Sequence, residues 1–180
     1  VPETRDDGYF LYVGNMEKRK GVEILLAAYA LYKKRGGEKN LVLAGKQNDN
    51  YIRQQINRAM LLTKDIEYMN YVSQKKKNEL YAHCSCFIFP SKAEGFGMPV
   101  VEIMQFNKPI IVGNLTIYDE IVGDCVNRFK MSDNFDVEAL ANAMENYDSN
   151  VDTVAYNRVL DSYAPEVLGE KLKKFFLSIR

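Results

Sequence analysis

The sequence predicts an α/β fold in which a doubly wound, mostly parallel sheet carries helices on both faces. Apolar runs at Tyr9–Val13, 41–44 and Cys86–Phe89 are too short for helices and suit strands. Continuous apolar residues are typical of strands that are covered on both faces of a parallel sheet. After each run comes a loop and then a segment with apolar residues at helical spacing. This alternation is the pattern that builds a doubly wound sheet.

The first half of the chain contains three such units. In chain order we predict strand Tyr9–Val13, a helix from Val22 to about Lys34, strand 41–44, a helix ending near Leu62, strand 65–69 and helix 74–81. The first helix has one apolar face, which comprises Val22, Leu25, Leu26, Tyr29 and Tyr32. A basic stretch before Gly36 and Gly37 is a typical signal for its end.

The second half continues the alternation from strand Cys86–Phe89. After a loop and a helix we predict strand 110–112, a short helix 116–122, a weak edge strand 126–131 and helices 135–147 and 151–160. Asn107 stands at a helix end and is expected to take the left-handed conformation. Ala164 and Pro165 open a last amphipathic helix, with apolar side chains at Val167, Leu168, Leu172, Phe175 and Phe176.

Composition limits the class of protein. The 180 residues, 47% of them hydrophobic, suffice for one ordinary domain with a buried core, which we place at residues 9–162 after a polar linker remnant at 1–8. The 24 basic and 24 acidic side chains leave no net charge, which argues against nucleic acid as the main partner. No apolar run approaches about 18 residues and no cleavable leader precedes Tyr9, so we expect neither a transmembrane span nor a signal peptide.

The three cysteines suit buried thiols in a reducing compartment, because they are sparse and odd in number. Cys84 and Cys86 lie beside the only histidine, His83, which raises the alternative of a metal site. A structural zinc needs four ligands, however, and no second cluster completes the set. We therefore expect no metal here.

Residues 90–102 carry the strongest functional signal and run Pro-Ser-Lys-Ala-Glu-Gly-Phe-Gly-Met-Pro-Val-Val-Glu. Gly95 and Gly97 let the backbone turn and approach a ligand closely, and Pro99 suits the first position of the next helix. Free amides at such a helix start form an anion site, where nucleotide-binding folds hold a pyrophosphate. Glu94 and Glu102 bracket this turn. Two carboxylates around a phosphate cradle suit a ligand with hydroxyls at both ends, such as a nucleotide sugar.

A purely structural interpretation of this stretch stays open, since acidic residues favour helix N-termini and Gly-x-Gly turns often only connect a strand to a helix. The fold supplies an independent argument for a site. Doubly wound sheets bind ligands at the carboxyl ends of their strands, and the loops after the first, second and central strands all lie at that edge. Lys20, Gly45, Lys46 and the 94–102 loop are therefore expected to converge on one ligand.

The 90–102 stretch closely resembles the Glu-x7-Glu signature of the group-one retaining glycosyltransferases of the GT-B fold, glycosyltransferase family 4. Other motifs follow in the family's order: Gly14-Asn15 with Arg19-Lys20-Gly21 is similar to its first donor loop, Ala44-Gly45-Lys46 to its second, and Gly123-Asp124-Cys125 to a late segment. The resemblance covers about residues 9–175. It implies a Rossmann-like domain that is the C-terminal, donor-binding half of such an enzyme. The N-terminal acceptor domain of such an enzyme would lie outside this stretch, and helix 163–180 would pack toward it.

The resemblance also implies roles for the matching residues. Lys20 would counter the charge of the donor diphosphate and the leaving group, Glu102 would hold the ribose hydroxyls, and Glu94 would hold hydroxyls of the transferred sugar. We prefer this positioning role for Glu94 over that of a covalent nucleophile. The other donor-site positions would be Gly14, Asn15, Arg19, Gly45, Lys46, Val72, Gly95, Phe96, Gly97 and Met98. The family often has Arg where this chain has Asn15, which leaves the second phosphate contact open, and Arg19 could supply it from within the loop.

The implied activity is hexosyl transfer from a UDP-sugar, a GDP-sugar or a similar donor to a saccharide or lipid-linked acceptor, as in polysaccharide biosynthesis. No metal cofactor is expected, because no Asp-x-Asp pair stands on a suitable loop. The expected location is the cytoplasm, with any peripheral contact with the inner face of the membrane made through the absent half. The fragment alone is expected to bind donor but to turn it over poorly.

Two functions of other classes are alternatives to this one. A dinucleotide-dependent oxidoreductase would share the sheet, but Gly14 is not followed by the Gly-x-x-Gly spacing of that fingerprint. A noncatalytic module that binds a nucleotide sugar or a partner stays open as the alternative. The run Lys75-Lys76-Lys77 is interpreted as a solvated helix face rather than as a nucleic-acid site.

Overall fold

The computed structural model describes residues 3–132 and 137–178 and contains one six-stranded sheet in which all neighbouring strands are parallel. The strand order is β3-β2-β1-β4-β5-β6. The strands are β1 Tyr9–Val13, β2 Asn40–Ala44, β3 Ile66–Met69, β4 Cys86–Phe89, β5 Ile110–Gly113 and β6 Asn127–Phe129. This confirms the predicted Rossmann-like, doubly wound α/β fold.

Eight α-helices among the described residues alternate with the strands and then complete the chain. They are α1 Val22–Lys34, α2 Asn50–Leu62, α3 Gln74–His83, α4 Met98–Met104, α5 Ile117–Ile121, α6 Val137–Asn146, α7 Thr153–Ser162 and α8 Pro165–Ser178. α1 packs against α2 and α6, while α4 packs against α7. The predicted start of α6 at Phe135 lies outside the described residues. Most other boundaries agree with the prediction to within two residues, and the predicted edge strand 126–131 is shorter, with three residues.

The order of the strands reverses between β1 and β4. From β1 the chain passes to β2 and then β3 on one side, whereas β4 returns to the other side of β1 and is followed outward by β5 and β6. β1 and β4 pair in parallel, with Phe10 opposite Cys86 and Leu11 opposite Phe87. In open α/β sheets, the crevice at the carboxyl ends of the two strands flanking such a reversal is the usual ligand site.

The core explains why the strand sequences are continuously apolar. Every residue of β1, β4 and β5 is buried, because helices cover both faces of the central sheet. Asn107 has a φ of 50°, which confirms the predicted left-handed cap. Within the part of the chain that the structure describes, no helix is both long and apolar enough to cross a bilayer.

Helix α8 carries some of the predicted apolar residues at its surface. Val167 is 38% exposed and Leu168 is 40% exposed. The side chains of Leu172, Phe175 and Phe176 lie outside the described residues. The expectation that this helix packs toward a further domain stays a prediction.

Candidate functional site

The loops that follow β1 and β4 are bound to each other across the crevice. The Lys92 amide donates to the Arg19 carbonyl at 2.8 Å. The Lys20 ammonium lies 2.5 Å from Glu94 Oε1, and the Ser91 hydroxyl donates to the same oxygen at 2.5 Å. The side chains of Lys20 and Glu94 are only 11% and 7% exposed. The structure thus brings together two of the predicted site residues that are far apart in sequence.

Gly21 permits this close approach. It ends a short 3-10 helix at Lys18–Lys20 and begins α1 with a φ of 69°, in the left-handed region. A Cβ at this position would lie 2.0 Å from the Pro90 carbonyl oxygen. Any side chain here would therefore push the Lys20 loop away from the loop that carries Glu94.

The loops after β1 and β2 also run side by side. The Gly14 amide donates to the Ala44 carbonyl at 2.9 Å, and the Met16 amide donates to the Lys46 carbonyl at 2.8 Å. A Cβ on Gly45 would lie 1.9 Å from the Gly14 carbonyl oxygen, so this contact requires glycine. The Lys46 side chain extends to the loop after β3, where its ammonium lies 5.8 Å from the centre of the Tyr71 ring.

Glu102 lies in a second cluster, between α4 and α3. Lys77 Nζ lies 2.8 Å from Glu102 Oε2, and the Tyr81 hydroxyl donates to the same oxygen at 3.1 Å. The prediction of a solvated lysine face is therefore wrong for Lys77, whose side chain is 19% exposed, although Lys75 and Lys76 are exposed. The sequence did contain a signal for this contact. Lys77 and Tyr81 are four residues apart, and residues at this spacing share one face of a helix.

The two glutamates are held in the same way. In each carboxylate, one oxygen accepts two hydrogen bonds, one from a lysine ammonium and one from a hydroxyl. This oxygen is Oε1 in Glu94 and Oε2 in Glu102. The other oxygen of each has no hydrogen-bond partner among the described residues. A carboxylate fixed by one oxygen can offer the second to a ligand hydroxyl in a defined direction.

The turn between the glutamates differs in detail from the prediction. Helix α4 begins at Met98, so Pro99 occupies the second helical position rather than the first, where its missing N–H still costs no hydrogen bond. Of the two predicted turn glycines, Gly97 adopts a positive φ of 87° and Gly95 does not. The Phe96 ring packs edge-on against Tyr163, and the Met98 side chain is exposed.

Other predicted residues do not reach the Lys20 and Glu94 cluster with their side chains. Arg19 is paired instead with Glu17 at 2.9 Å, and its side chain is 53% exposed. Asn15 is exposed, and its carbonyl accepts the Tyr12 hydroxyl at 3.0 Å. Val72 packs against the core at the start of the loop that leads into α3. The role expected for Arg19 stays a prediction; the ion pair engages its Nε, and the guanidinium has further N–H donors for a phosphate.

The cysteines form no ligand cluster. Cys84 and Cys86 are buried free thiols, and burial raises the pKa of Cys84 to about 12. Residues 3–132 and 137–178 contain no group of three or more His, Cys, Asp or Glu side chains that could hold a metal ion.

Comparison with known proteins gives a family match over most of the chain. The family model described as "Glycosyl transferases group 1" matches residues 2–165. O-antigen chain mannosyltransferase B of Escherichia coli is 37% identical over 122 residues, which are 65% of this chain and 31% of that protein. The chain therefore spans about a third of the length of this relative.

Solved structures of low sequence identity share the fold. HepE of Anabaena, in complex with UDP and glucose, has a TM-score of 0.75 and 20% identity, over 96% of this chain and 49% of that one. The pneumococcal O-GlcNAc transferase GtfA, in complex with UDP and GlcNAc, has a TM-score of 0.75 and 14% identity, over 98% of this chain and 36% of that one.

Proposed function

The chain belongs to the group 1 glycosyl transferases, and we propose that it is the donor-binding domain of a retaining enzyme of this family. The complete enzyme would transfer a hexose from a nucleoside diphosphate sugar to a saccharide or lipid-linked acceptor. An N-terminal acceptor domain would complete the active site. By itself the chain would bind donor and turn it over poorly.

The observation that carries the proposal is the contact between Lys20 and Glu94 across the strand reversal. A cation and a carboxylate at the carboxyl ends of β1 and β4 lie where doubly wound folds bind nucleotides. The ammonium can make three hydrogen bonds, so Lys20 can hold Glu94 and still donate to a phosphate oxygen. Negative charge that develops on the leaving diphosphate would be stabilised in the same place.

The positions of the two glutamates match the order of groups in a nucleotide sugar. Glu102 contacts α3, which begins directly after the Val72 loop that we expect to shape the base pocket. Ribose and base are neighbours in a nucleoside, so Glu102 suits the ribose hydroxyls. Glu94 lies beside Lys20, as expected for a group that holds the sugar next to the diphosphate. Backbone amides of Phe96, Gly97 and Met98 would donate to the phosphates between them.

The geometry also favours a positioning role for Glu94 over a nucleophilic one. Its Oε1 accepts two hydrogen bonds at 2.5 Å, one of them from a cation. Both interactions draw electron density from the carboxylate and lower its nucleophilicity. Retention would then follow from attack guided on the side of the leaving phosphate.

We propose that the donor site works without a metal ion, with Lys20 and the loop amides taking the charge of the diphosphate. The E. coli relative is named a mannosyltransferase, and both structural relatives contain UDP, so GDP-mannose and UDP-sugars are the first donors to test. We place the enzyme in the cytoplasm, in keeping with three free cysteines.

Titration calorimetry of the chain with UDP, GDP, ADP and NADH tests the proposal. We expect one of the three nucleoside diphosphates to bind more tightly than NADH, with the same affinity in the presence of EDTA. A preference for NADH would contradict the proposal. Loss of binding in EDTA would refute its metal-free form. If the chain, joined to its acceptor domain, binds a nucleotide sugar and transfers none to any acceptor, the noncatalytic module is the better description.

A further inference from the structure

Lys77 occupies a position that the helix itself disfavours. It lies in the first turn of α3, where its amide bonds to the Ser73 carbonyl, and this turn contains no acidic side chain. The positive end of the helix dipole repels a cation there. Yet the Lys77 side chain is mostly buried, with its ammonium directed to Glu102 Oε2. The pair with Glu102 compensates for this cost.

Tyr81 is the more deeply buried of the two donors to Glu102. Its side chain is almost fully buried, and its ring packs against Phe87 and Phe106 at centroid distances of 5.8 and 5.5 Å. Burial, and then the charge of Glu102, raise the pKa of Tyr81, so its hydroxyl stays protonated and donates. The Lys77 ammonium also lies 5.9 Å from the centre of the Tyr81 ring, which links the two donors.

We infer that Lys77 and Tyr81 are positioning residues that lock Glu102 Oε2 and thereby reserve Oε1 for the ribose hydroxyls of the donor. The inference rests on the proposed function, since it assumes that Glu102 meets a ribose. If either donor is lost, the carboxylate of Glu102 can rotate about its last side-chain bonds. The direction in which Oε1 accepts a hydrogen bond is then no longer fixed. The selectivity of the site for a nucleotide with intact ribose hydroxyls therefore depends on two residues that need not touch the ligand.

A test compares nucleotides with and without ribose hydroxyls. The dissociation constants of UDP, GDP and ADP, each beside its 2′,3′-dideoxy form, are measured for the unmodified chain, Lys77→Met, Tyr81→Phe, Lys77→Arg and the control Lys76→Met. Lys76 lies on the same helix and is exposed, so its variant removes an equal charge without touching Glu102. The ratio of the dideoxy to the ribose dissociation constant isolates the contact with the hydroxyls.

For the unmodified chain and Lys76→Met we expect a ratio of about ten or more for the nucleotide that binds, because hydrogen bonds to a charged acceptor are lost in the dideoxy form. In Lys77→Met and Tyr81→Phe the ratio should fall at least about threefold, with unchanged affinity for the dideoxy form. Lys77→Arg should restore most of the ratio of the unmodified chain.

Ratios in both Lys77→Met and Tyr81→Phe equal to that of the unmodified chain would overturn the inference while leaving the proposed function intact. Failure of the unmodified chain to bind UDP, GDP or ADP would overturn the proposed function and the inference together.

Discussion

Lys20 and Glu94 form a largely buried ion pair, with 2.5 Å between Nζ and Oε1, across the point where the strand order of the sheet reverses. The two residues lie on loops after β1 and β4, which are adjacent in the sheet. Charges in such a place are costly to remove from water. Their presence at the expected ligand crevice is better explained by function than by stability.

The first prediction concerns the stability of this pair. Lys20→Met should lower the free energy of unfolding by about 3 kcal/mol, because it leaves the buried Glu94 carboxylate without its cation. The double variant Lys20→Met, Glu94→Gln should regain most of that loss, since neither charge is then buried alone. Urea unfolding of both variants measures the difference. Equal destabilisation by the single and the double variant would show that the two side chains are not energetically coupled.

The second prediction separates the phosphate role of Lys20 from its structural role. Lys20→Met should weaken binding of the preferred nucleoside diphosphate by about tenfold or more, through loss of a charge-assisted hydrogen bond. Affinity for the corresponding nucleoside, which has no phosphate, should change by less than about twofold. Calorimetry at one salt concentration gives both values. A parallel loss for nucleotide and nucleoside would mean that Lys20 supports the fold of the site and not the phosphates.

The third prediction concerns the glycine that lets the two loops meet. Gly21→Ala should cost about 2 kcal/mol or more, because it adds a clash with the Pro90 carbonyl to the strain of a left-handed alanine. Gly8→Ala is the matched control, since Gly8 has a similar φ of 75° and open space around its Cα. The control should cost only about 1 kcal/mol. Thermal unfolding of both variants checks this, and equal losses would show that the loops separate without penalty.

Much of the fold and part of the site follow from the sequence for a physical reason. Continuous apolar runs identify buried strands, and the rule that parallel strands end at one edge brings Lys20 to Glu94 although 74 positions separate them. The same rule placed Gly14 beside Gly45. These relationships depend on topology, which the alternation of strands and helices determines.

The contacts around Glu102 could not be predicted in this way. They depend on how α3 and α4 are rotated and spaced, which the order of elements leaves open. A local rule also gave the wrong result for Lys77. Three consecutive lysines usually face solvent, as Lys75 and Lys76 do, but Lys77 does not. Likewise, the side-chain orientation that pairs Arg19 with Glu17 became visible only in the structure.

The central claim is that Glu102 binds the ribose, and Glu94 the transferred sugar, of one nucleotide sugar. The most direct measurement is the affinity of Glu94→Ala and Glu102→Ala for a free nucleoside diphosphate and for its sugar-bearing form, GDP with GDP-mannose or UDP with UDP-glucose. We predict that Glu102→Ala weakens binding of the free nucleotide about tenfold, whereas Glu94→Ala spares or tightens it and removes the additional affinity due to the sugar. Equal weakening of free nucleotide binding by both variants would contradict the account.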